Sequence, residues 1–170
     1  EVTHEWLREG QVLGCVTTLA QALRGCRMDP LGTMDYVAVA NPAYAAEFLP
    51  KSLSAHNFHR VPFVAFNRKD HLQNEFVTRA FGLARVVLKQ LFVPSSEGQI
   101  RAVRAGWGVS VLPELAVRGH IESGELVNVA PKHKLGVALH WHCWNLHSDV
   151  LDELSTALRT AAAQSLRQPA

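Results

Sequence analysis

The chain has 170 residues, 48% apolar residues and a net charge of +2, enough for one good core or two small lobes. No apolar run approaches the ~20 residues that cross a bilayer, and the first residues lack the basic start and apolar stretch of a signal peptide. We therefore expect a cytoplasmic protein without a membrane partner. Its Lys and Arg residues are spread along the chain, so this segment alone is not predicted to bind DNA.

The first predicted elements are a short helical end and two strands. Residues 4–10 form a helical turn that Gly10 ends, and residues 11–18 read as a buried strand, β-branched and almost uncharged. A second strand covers residues 35–40. The turn signal Asn41-Pro42 ends this strand and begins a helix with proline in its first turn.

The middle of the chain alternates between strands and helices. The strands are predicted at 61–66, 86–93 and 107–112, and the helices at 70–81, 96–105 and 114–118. Such alternation favours a parallel α/β sheet.

The last third of the chain predicts two strands and one long helix. The strands cover residues 125–129 and 135–144, and the helix runs from Ser148 to about residue 163. Ser148 is a suitable N-cap for a helix with an apolar stripe. Residues 167–170 are predicted to be a frayed end.

The segment from Phe92 to Glu114 carries the most information about function. A strand there delivers Ser95 and Ser96 to the start of a helix, and residues 96–99 (Ser-Glu-Gly-Gln) have the spacing of a capping box. In that interpretation Ser96 is the N-cap and the Gln99 side chain reaches back to it. Unpaired N–H groups at such a helix start favour an anion, for example a carboxylate. The alternative is that Ser96 only caps the helix.

Several strings in the sequence resemble one family. AVRAGWGVSVLPE and the later SGELVNV are similar to the second sensing subdomain of LysR-type transcriptional regulators, which commonly reads Val-Ala-x-Gly-x-Gly-x-x-x-Leu-Pro and then Gly-x-Leu-Val. LREGQVLGCVTT and LGTMDYVAVANPAY extend the resemblance over nearly the whole chain. VAFNRKDHLQNEF, VPSSEG and ALHWHCW are most similar to the branch of lysine- and arginine-export regulators (LysG/ArgP-like), which respond to basic amino acids.

The resemblance implies an α/β fold with two lobes, the periplasmic-binding-protein-like effector domain of type 2, truncated at its amino terminus. The first lobe would comprise residues 1–40 and 129–170, and the second lobe residues 41–128. A full regulator would also carry a winged helix-turn-helix, a linker helix and the first strand and helix of the first lobe. We expect this chain to lack all of these, to expose apolar surface as a result and to associate as a homodimer or homotetramer.

The resemblance also implies an effector bound between the lobes, near the carboxyl ends of strands. The candidate residues are polar and follow predicted strands: Thr17, Thr18, Asn67, Asp70, Ser95, Ser96 and Glu97. Ser95 and Ser96 would hold the carboxylate of an amino acid. Asp70 or Glu97 would pair with its ammonium or guanidinium group, and Thr17 and Thr18 would close the site. For Asp70 and Glu97 the alternative is a helix-start charge that the helix dipole favours.

Other sites are disfavoured by the sequence. Cys15, Cys26 and Cys143 form no Cys-x-x-Cys pair and are expected to be reduced thiols used in packing. His140 and His142 share one face of a strand, which is half a metal site, but no further ligand follows at a suitable spacing. We therefore expect no metal and no cofactor.

The resemblance implies that the function is effector sensing for a LysR-type regulator of amino-acid export or metabolism genes. Effector binding would shift the population of conformations and so change how the parent protein holds DNA. A free-standing solute-binding protein is the first alternative. A small α/β enzyme is the second, and it is disfavoured because the sequence contains neither a Gly-x-Ser-x-Gly elbow nor a Gly-rich phosphate loop.

Overall fold

The computed structural model describes residues 3–168. Contacts divide the chain into two compact units: unit 1 is Glu1–Asp35 with Gly136–Ala170, and unit 2 is Tyr36–Leu135. The sequence places the change of lobe after residue 40 and again before residue 129. The assignment of the two lobes stays a prediction.

Every helix and strand predicted from the sequence has a counterpart in the structure. The helices are α1 (Thr3–Arg8), α2 (Pro42–Phe48), α3 (Leu72–Phe81), α4 (Ser96–Arg104), α5 (Glu114–Glu122) and α6 (Asp149–Ser165), with a 3-10 turn at Phe58–Arg60. The strands are β1 (Gly14–Thr17), β2 (Cys26–Ala40), β3 (Pro62–Ala65), β4 (Lys89–Phe92), β5 (Ser110–Pro113), β6 (Val127–Asn128) and β7 (Leu135–Trp144). None of the described helices is long and apolar enough to cross a membrane.

In unit 1, β1 lies antiparallel to β7, with Gly14 opposite Cys143 and Thr17 opposite His140. Strand β7 in turn lies between β1 and β2. Helix α6 covers one face of this sheet, where Trp141 and Cys143 pack with residues of β2 and α6. The indole Nε1 of Trp141 donates a hydrogen bond of 2.9 Å to Ser155 Oγ. Trp141 therefore anchors the helix to the sheet through both apolar and polar contacts.

In unit 2, the prediction of a parallel sheet holds for β3 and β4 and fails beside β2. Strands β3 and β4 pair in parallel, whereas β2 is antiparallel to both β5 and β6. A buried strand has the same apolar pattern whichever way its neighbour runs, so the pattern could not reveal the direction. The core of this unit lies between the sheet and helices α4 and α5, and includes Val37, Val39, Val103, Leu112 and Val117.

Gly108 has a structural role in unit 2. Its φ is +148°, and a Cβ there would lie 2.3 Å from the carbonyl oxygen of Pro62. Only glycine allows this approach. The approach lets Val109 donate to Pro62 O at 3.0 Å and accept from Val64 N at 2.7 Å. Gly108 thus allows the backbone just before β5 to form hydrogen bonds with β3.

The frayed end predicted for residues 167–170 is wrong for the two of these residues that the structure describes. Arg167 and Thr33 exchange backbone hydrogen bonds of 2.9 and 3.1 Å, and the Arg167 guanidinium donates to Asp35 at 2.9 Å. Gln168 donates to Leu31 O at 3.1 Å. These pairings depend on residues more than 130 positions away, which local sequence cannot reveal. Residues 169 and 170 lie outside the described part of the chain.

Candidate ligand-binding site

Helix α4 begins one residue earlier than the capping-box interpretation requires. Ser95, not Ser96, is the N-cap: its backbone is extended and its Oγ accepts a hydrogen bond of 3.1 Å from Gly98 N. Gln99 does not reach back to the helix start. It is 5% exposed and donates to Val64 O at 3.4 Å, because the shift in register turns it towards the sheet.

This arrangement leaves hydrogen-bond donors available at the start of α4. The first N–H groups of a helix have no partner within the helix, and Ser95 satisfies only that of Gly98. The N–H groups of Ser96 and Glu97 remain, in residues whose side chains are exposed. The Ser96 hydroxyl has no hydrogen bond to any described residue. Two N–H groups and one hydroxyl within one turn suit a carboxylate.

Glu97 lies on the same turn and is strongly exposed. Its carboxylate accepts a hydrogen bond of 2.5 Å from Arg101, one turn further along α4, and the two side chains are 73% and 74% exposed. An exposed pair of this kind contributes little to stability. Glu97 is therefore accessible to a cationic ligand that competes with Arg101.

Asn67 and Asp70 shape the turn between β3 and α3. The carboxylate of Asp70 accepts from Phe66 N at 2.9 Å and from Leu72 N at 3.0 Å. The side-chain oxygen of Asn67 accepts from Lys69 N at 2.8 Å. These bonds agree with the structural alternative for Asp70, a carboxylate at a helix start. Each of its oxygens keeps a second lone pair that a ligand could use.

Tyr36 is a neighbour of Asp70 that sequence reasoning missed. Burial raises the pKa of the Tyr36 phenol above its usual range, and the negative charge of Asp70 raises it further. The phenol therefore stays neutral and lies within electrostatic reach of the β3–α3 turn. No motif in the sequence marks Tyr36, because an aromatic residue in a buried strand is ordinary.

The topology brings the five candidates of unit 2 to one edge of its small parallel sheet. Ala65 pairs with Phe92, the last residues of β3 and β4, and Val93 N donates to Ala65 O at 2.9 Å. The turn after β3 carries Asn67 and Asp70, and the residues after β4 lead directly to α4. The carboxyl ends of parallel strands are where α/β proteins commonly bind ligands.

Thr17 and Thr18, the other two candidates, belong to unit 1. Thr17 is the last residue of β1 and is 9% exposed. Its Oγ1 accepts a long hydrogen bond of 3.4 Å from Leu19 N. Thr18 is exposed. Both residues lie at the carboxyl end of their strand, as predicted.

Two buried glutamines fix the elements that carry the site, and sequence reasoning did not single out this role. Gln73 on α3 is 1% exposed, donates to Val111 O at 3.2 Å and accepts from Val111 N at 2.7 Å. Gln99 and Ser110 both donate to Val64 O, at 3.4 and 2.7 Å. These hydrogen bonds fix the positions of helices α3 and α4 relative to the strands of the sheet. A glutamine on the apolar face of a predicted helix was the available signal.

A wide surface depression of about 440 Å³ lies at the carboxyl end of α4, lined by Asn41, Arg101, Arg104, Ala105 and Glu125. Its charges are already paired. Glu125 lies 2.5 Å from His120 Nδ1 and accepts from Arg104 at 2.7 Å, and these contacts, the His120 bond foremost, lower the pKa of Glu125. None of the predicted site residues lines this depression, so we do not place the ligand there.

His140 and His142, the pair that the sequence pattern disfavours as half of a metal site, lie next to each other in the structure. The two rings lie on the same face of β7 with their centroids 6.4 Å apart. Among residues 3–168, no group of three or more His, Cys, Asp or Glu side chains is placed to hold a metal ion.

Comparison with known proteins identifies a matching family and similar regulators. The family described as LysR substrate binding domain matches residues 1–164. The helix-turn-helix-type transcriptional regulator LysG of Mycobacterium tuberculosis is 37% identical over 157 residues, which are 92% of this chain and 51% of that protein. The chain spans about half the length of the curated relatives it matches.

Two solved structures are similar over nearly the whole chain. ArgP from Mycobacterium tuberculosis has a TM-score of 0.90 and 35% identity, covering 96% of this chain and 56% of that one. LysG from Corynebacterium glutamicum, solved with bound effector Arg, has a TM-score of 0.82 and 30% identity, covering 97% of this chain and 56% of that one.

Proposed function

The chain belongs to the LysR-type regulators, as their substrate-binding domain, and on that premise we propose that it senses a basic amino acid such as arginine, lysine or histidine. Its LysG and ArgP relatives are transcriptional regulators rather than enzymes. The LysG structure with bound effector Arg supports the choice of a basic amino acid.

The start of α4 is the observation that carries the proposal. Ser96 presents a hydroxyl and an N–H group that have no hydrogen-bond partner among residues 3–168, and neither has the N–H group of Glu97. In our proposal these groups hold the carboxylate of the effector. Ser95 contributes by capping the helix, which keeps the donors in place. The carboxylate of Glu97 or Asp70 pairs with an ammonium or guanidinium group of the effector, and Asn67 holds the turn that carries Asp70.

Replacement of Ser96 by alanine tests the site. We expect Ser96→Ala to weaken binding of L-arginine and L-lysine by about tenfold, the size of a hydrogen bond to a charged group. The melting temperature should hardly change, because the Ser96 side chain has no described protein partner. Isothermal titration calorimetry measures the affinity. Unchanged affinity would exclude Ser96 as a carboxylate ligand.

Ser95→Ala is the matched comparison for stability, since it removes the helix cap. We expect it to lower stability by about 1 kcal/mol.

Thermal shifts of the unaltered chain with arginine, lysine and histidine are compared with its shifts with neutral amino acids. An effector at 100 times its dissociation constant stabilises the protein by about 2.7 kcal/mol. Equal stabilisation by neutral amino acids would contradict a preference for basic ones.

In the parent protein we propose that effector binding shifts the population of conformations of a homodimer or homotetramer bound to DNA in the cytoplasm. DNA contact would come from an amino-terminal helix-turn-helix domain, and the target genes would serve amino-acid export or metabolism. The upstream coding sequence provides the test. If it encodes a helix-turn-helix, the regulator is supported, whereas a signal peptide there would favour the solute-binding protein.

A further inference from the structure

A buried glutamine, Gln99, connects the start of α4 to strand β3 within unit 2. It lies three residues after Ser96 and is only 5% exposed. Its side-chain Nε2 donates to the carbonyl oxygen of Val64 at 3.4 Å. Val64 belongs to β3, and the turn that follows this strand carries Asp70. One buried amide therefore links the proposed carboxylate site to the strand that leads to a candidate partner for the cation.

The carbonyl oxygen of Val64 also has a second donor. The hydroxyl of Ser110, the first residue of β5, donates to it at 2.7 Å, and Ser110 is fully buried. A carbonyl oxygen has two lone pairs and can accept both bonds. Without the Gln99 amide, the Val64 carbonyl would still be paired. The distinct contribution of Gln99 is therefore to hold α4, the helix on which it lies.

The residues at the start of α4 allow two different helix caps. In the structure the cap is Ser95, whose Oγ accepts from Gly98 N at 3.1 Å. In a capping box the cap would be Ser96, and the side chain of Gln99 would accept from the Ser96 N–H group. Gln99 faces the sheet in the first arrangement and the helix start in the second. The two arrangements therefore exclude each other.

Only the observed cap leaves the N–H group and the hydroxyl of Ser96 available to a carboxylate. In the capping box the N–H group would bond the glutamine side chain, and the hydroxyl oxygen would accept from the backbone N–H of Gln99. Gly98 favours the observed cap, because a Cβ there would lie 2.9 Å from Val93 Cγ1 and 3.1 Å from Ser95 Cβ. The two caps thus differ in whether the proposed carboxylate site is open.

We propose that Gln99 is a positioning residue for the carboxylate of the effector. The inference rests on the proposed function and adds to it the residue that keeps the carboxylate site open. By bonding the Val64 carbonyl, Gln99 stabilises the arrangement in which Ser95 caps α4. In that arrangement the N–H groups of Ser96 and Glu97 stay free for the carboxylate. Gln99 acts through the helix and does not contact the effector.

Calorimetry with L-arginine and agmatine tests this role, because agmatine is arginine without its carboxylate. L-lysine and cadaverine form the equivalent pair. Gln99→Leu removes the bond to the Val64 carbonyl and should weaken binding of L-arginine by about tenfold, while the affinity for agmatine stays the same. Ser110→Ala is the matched control, because it removes the other donor to the same oxygen and lies outside α4. It should bind both ligands as the unaltered chain does.

A second measurement uses L-arginine alone and follows the helix start directly. Gln99→Glu removes the donor to the Val64 carbonyl and supplies a residue that favours the capping box. In proton–nitrogen correlation spectra of the unaltered chain and of Ser110→Ala, the backbone N–H resonances of Ser96 and Glu97 should shift when L-arginine is added. In Gln99→Glu and in Gln99→Leu these shifts should be much smaller. Shifts of equal size in all four proteins would overturn the positioning role.

The outcomes separate this inference from the function on which it rests. If the unaltered chain binds neither L-arginine nor L-lysine, the proposed function fails and the positioning role fails with it. If Ser96→Ala weakens binding while Gln99→Leu binds as Ser110→Ala does, only the positioning role is wrong. An equal loss for L-arginine and agmatine in Gln99→Leu would also overturn it. A loss confined to L-arginine, and absent from Ser110→Ala, supports it.

Discussion

Single polar side chains decide how the elements of unit 2 are positioned. Gln73 satisfies both backbone groups of Val111 from a position that is 1% exposed. Gln99 and Ser110 converge on one carbonyl, that of Val64. The candidate site residues of unit 2 lie at the ends of these elements, and we expect their positions to depend on these buried contacts.

Removal of the Gln73 amide should be costly. Gln73→Leu retains the bulk of the side chain but leaves the N–H and C=O of Val111 buried without partners, and each such loss costs about 1–3 kcal/mol. We expect a fall of about 2–4 kcal/mol in the free energy of unfolding, measured by urea denaturation. Gln164→Leu, on the exposed side of α6, is the control. A loss below about 0.5 kcal/mol at Gln73 would contradict this role.

The cluster of His120, Glu125 and Arg104 predicts a pH dependence with a definite sign. The folded state lowers the pKa of Glu125, chiefly through the hydrogen bond with His120. Stability from this carboxylate is present above the unfolded carboxyl range and is lost as the pH falls through the lowered pKa. Glu125→Gln should therefore have a lower melting temperature than the unaltered chain at pH 7. The difference should shrink below about pH 4, and a constant difference would contradict the assignment.

At the scale of elements, local sequence patterns predicted the order and most bounds, and tertiary pairing accounts for the differences. Strand β7 has the predicted bounds, and Ser148 caps α6 as expected, accepting from Leu151 N at 3.5 Å. Strand β2 begins at Cys26 rather than at residue 35. Asp29, Pro30 and Gly32 have the composition of a turn, and the strand continues through them because β7 lies beside it.

The capping-box interpretation placed the start of α4 one residue too late, again because the local sequence does not report tertiary contacts. Ser95 and Ser96 are equally suitable caps by residue type, so local sequence could not choose between them. Gly98 lies three residues after Ser95, and its N–H bonds the Ser95 hydroxyl. With that register, Gln99 faces the sheet. The location of this helix start to within one residue was thus predictable, while its hydrogen-bonding pattern depended on the packing of one glutamine.

The close packing of Gly14 in β1 against Trp141 in β7 gives a testable prediction about these two elements. A Cβ on Gly14 would lie 2.2–2.9 Å from three ring atoms of Trp141, so Gly14→Ala must displace the indole that bonds Ser155. Overpacking of this kind costs about 1–3 kcal/mol, and loss of the indole bond adds to it. Gly119→Ala in α5 is the matched control, because a Cβ there meets nothing within 4 Å, and it should be neutral or slightly stabilising. Equal stability of the two variants would show that Trp141 relaxes freely.

At the scale of the whole molecule, the sequence resemblance identified the family, which the periodicity of apolar residues could not do. The alternation of strands and helices indicated an α/β protein, and the strings around Gly106 and Gly108 indicated the family. The Nδ1 atoms of His140 and His142 in unit 1 are buried and have no hydrogen-bond partner among the described residues, and the Nε2 of His142 lies 2.9 Å from the carbonyl oxygen of Leu19. Sequence reasoning could not predict either feature. The sequence shows two histidines on one face of a strand, but burial and the bond to Leu19 depend on how the segment after β1 folds over them.

Exposed apolar side chains near β1 predict association of the chain. Trp6, Leu13 and Val16 are 45%, 57% and 40% exposed, and β1 is the last strand on its side of the sheet. An exposed edge with apolar neighbours is a site for pairing with another chain. We expect light scattering to give a mass above 18.8 kDa that rises with concentration.

Charge placed on that edge should oppose the association. Val16→Lys adds a cation to an edge strand, a device that blocks edge-to-edge pairing, and should shift the mass towards that of the monomer. Val150→Lys on α6, where the side chain is 73% exposed, is the control and should associate as the unaltered chain does. A monodisperse monomer at all concentrations would contradict association. An equal effect of both lysines would show that net charge, and not this edge, controls the association.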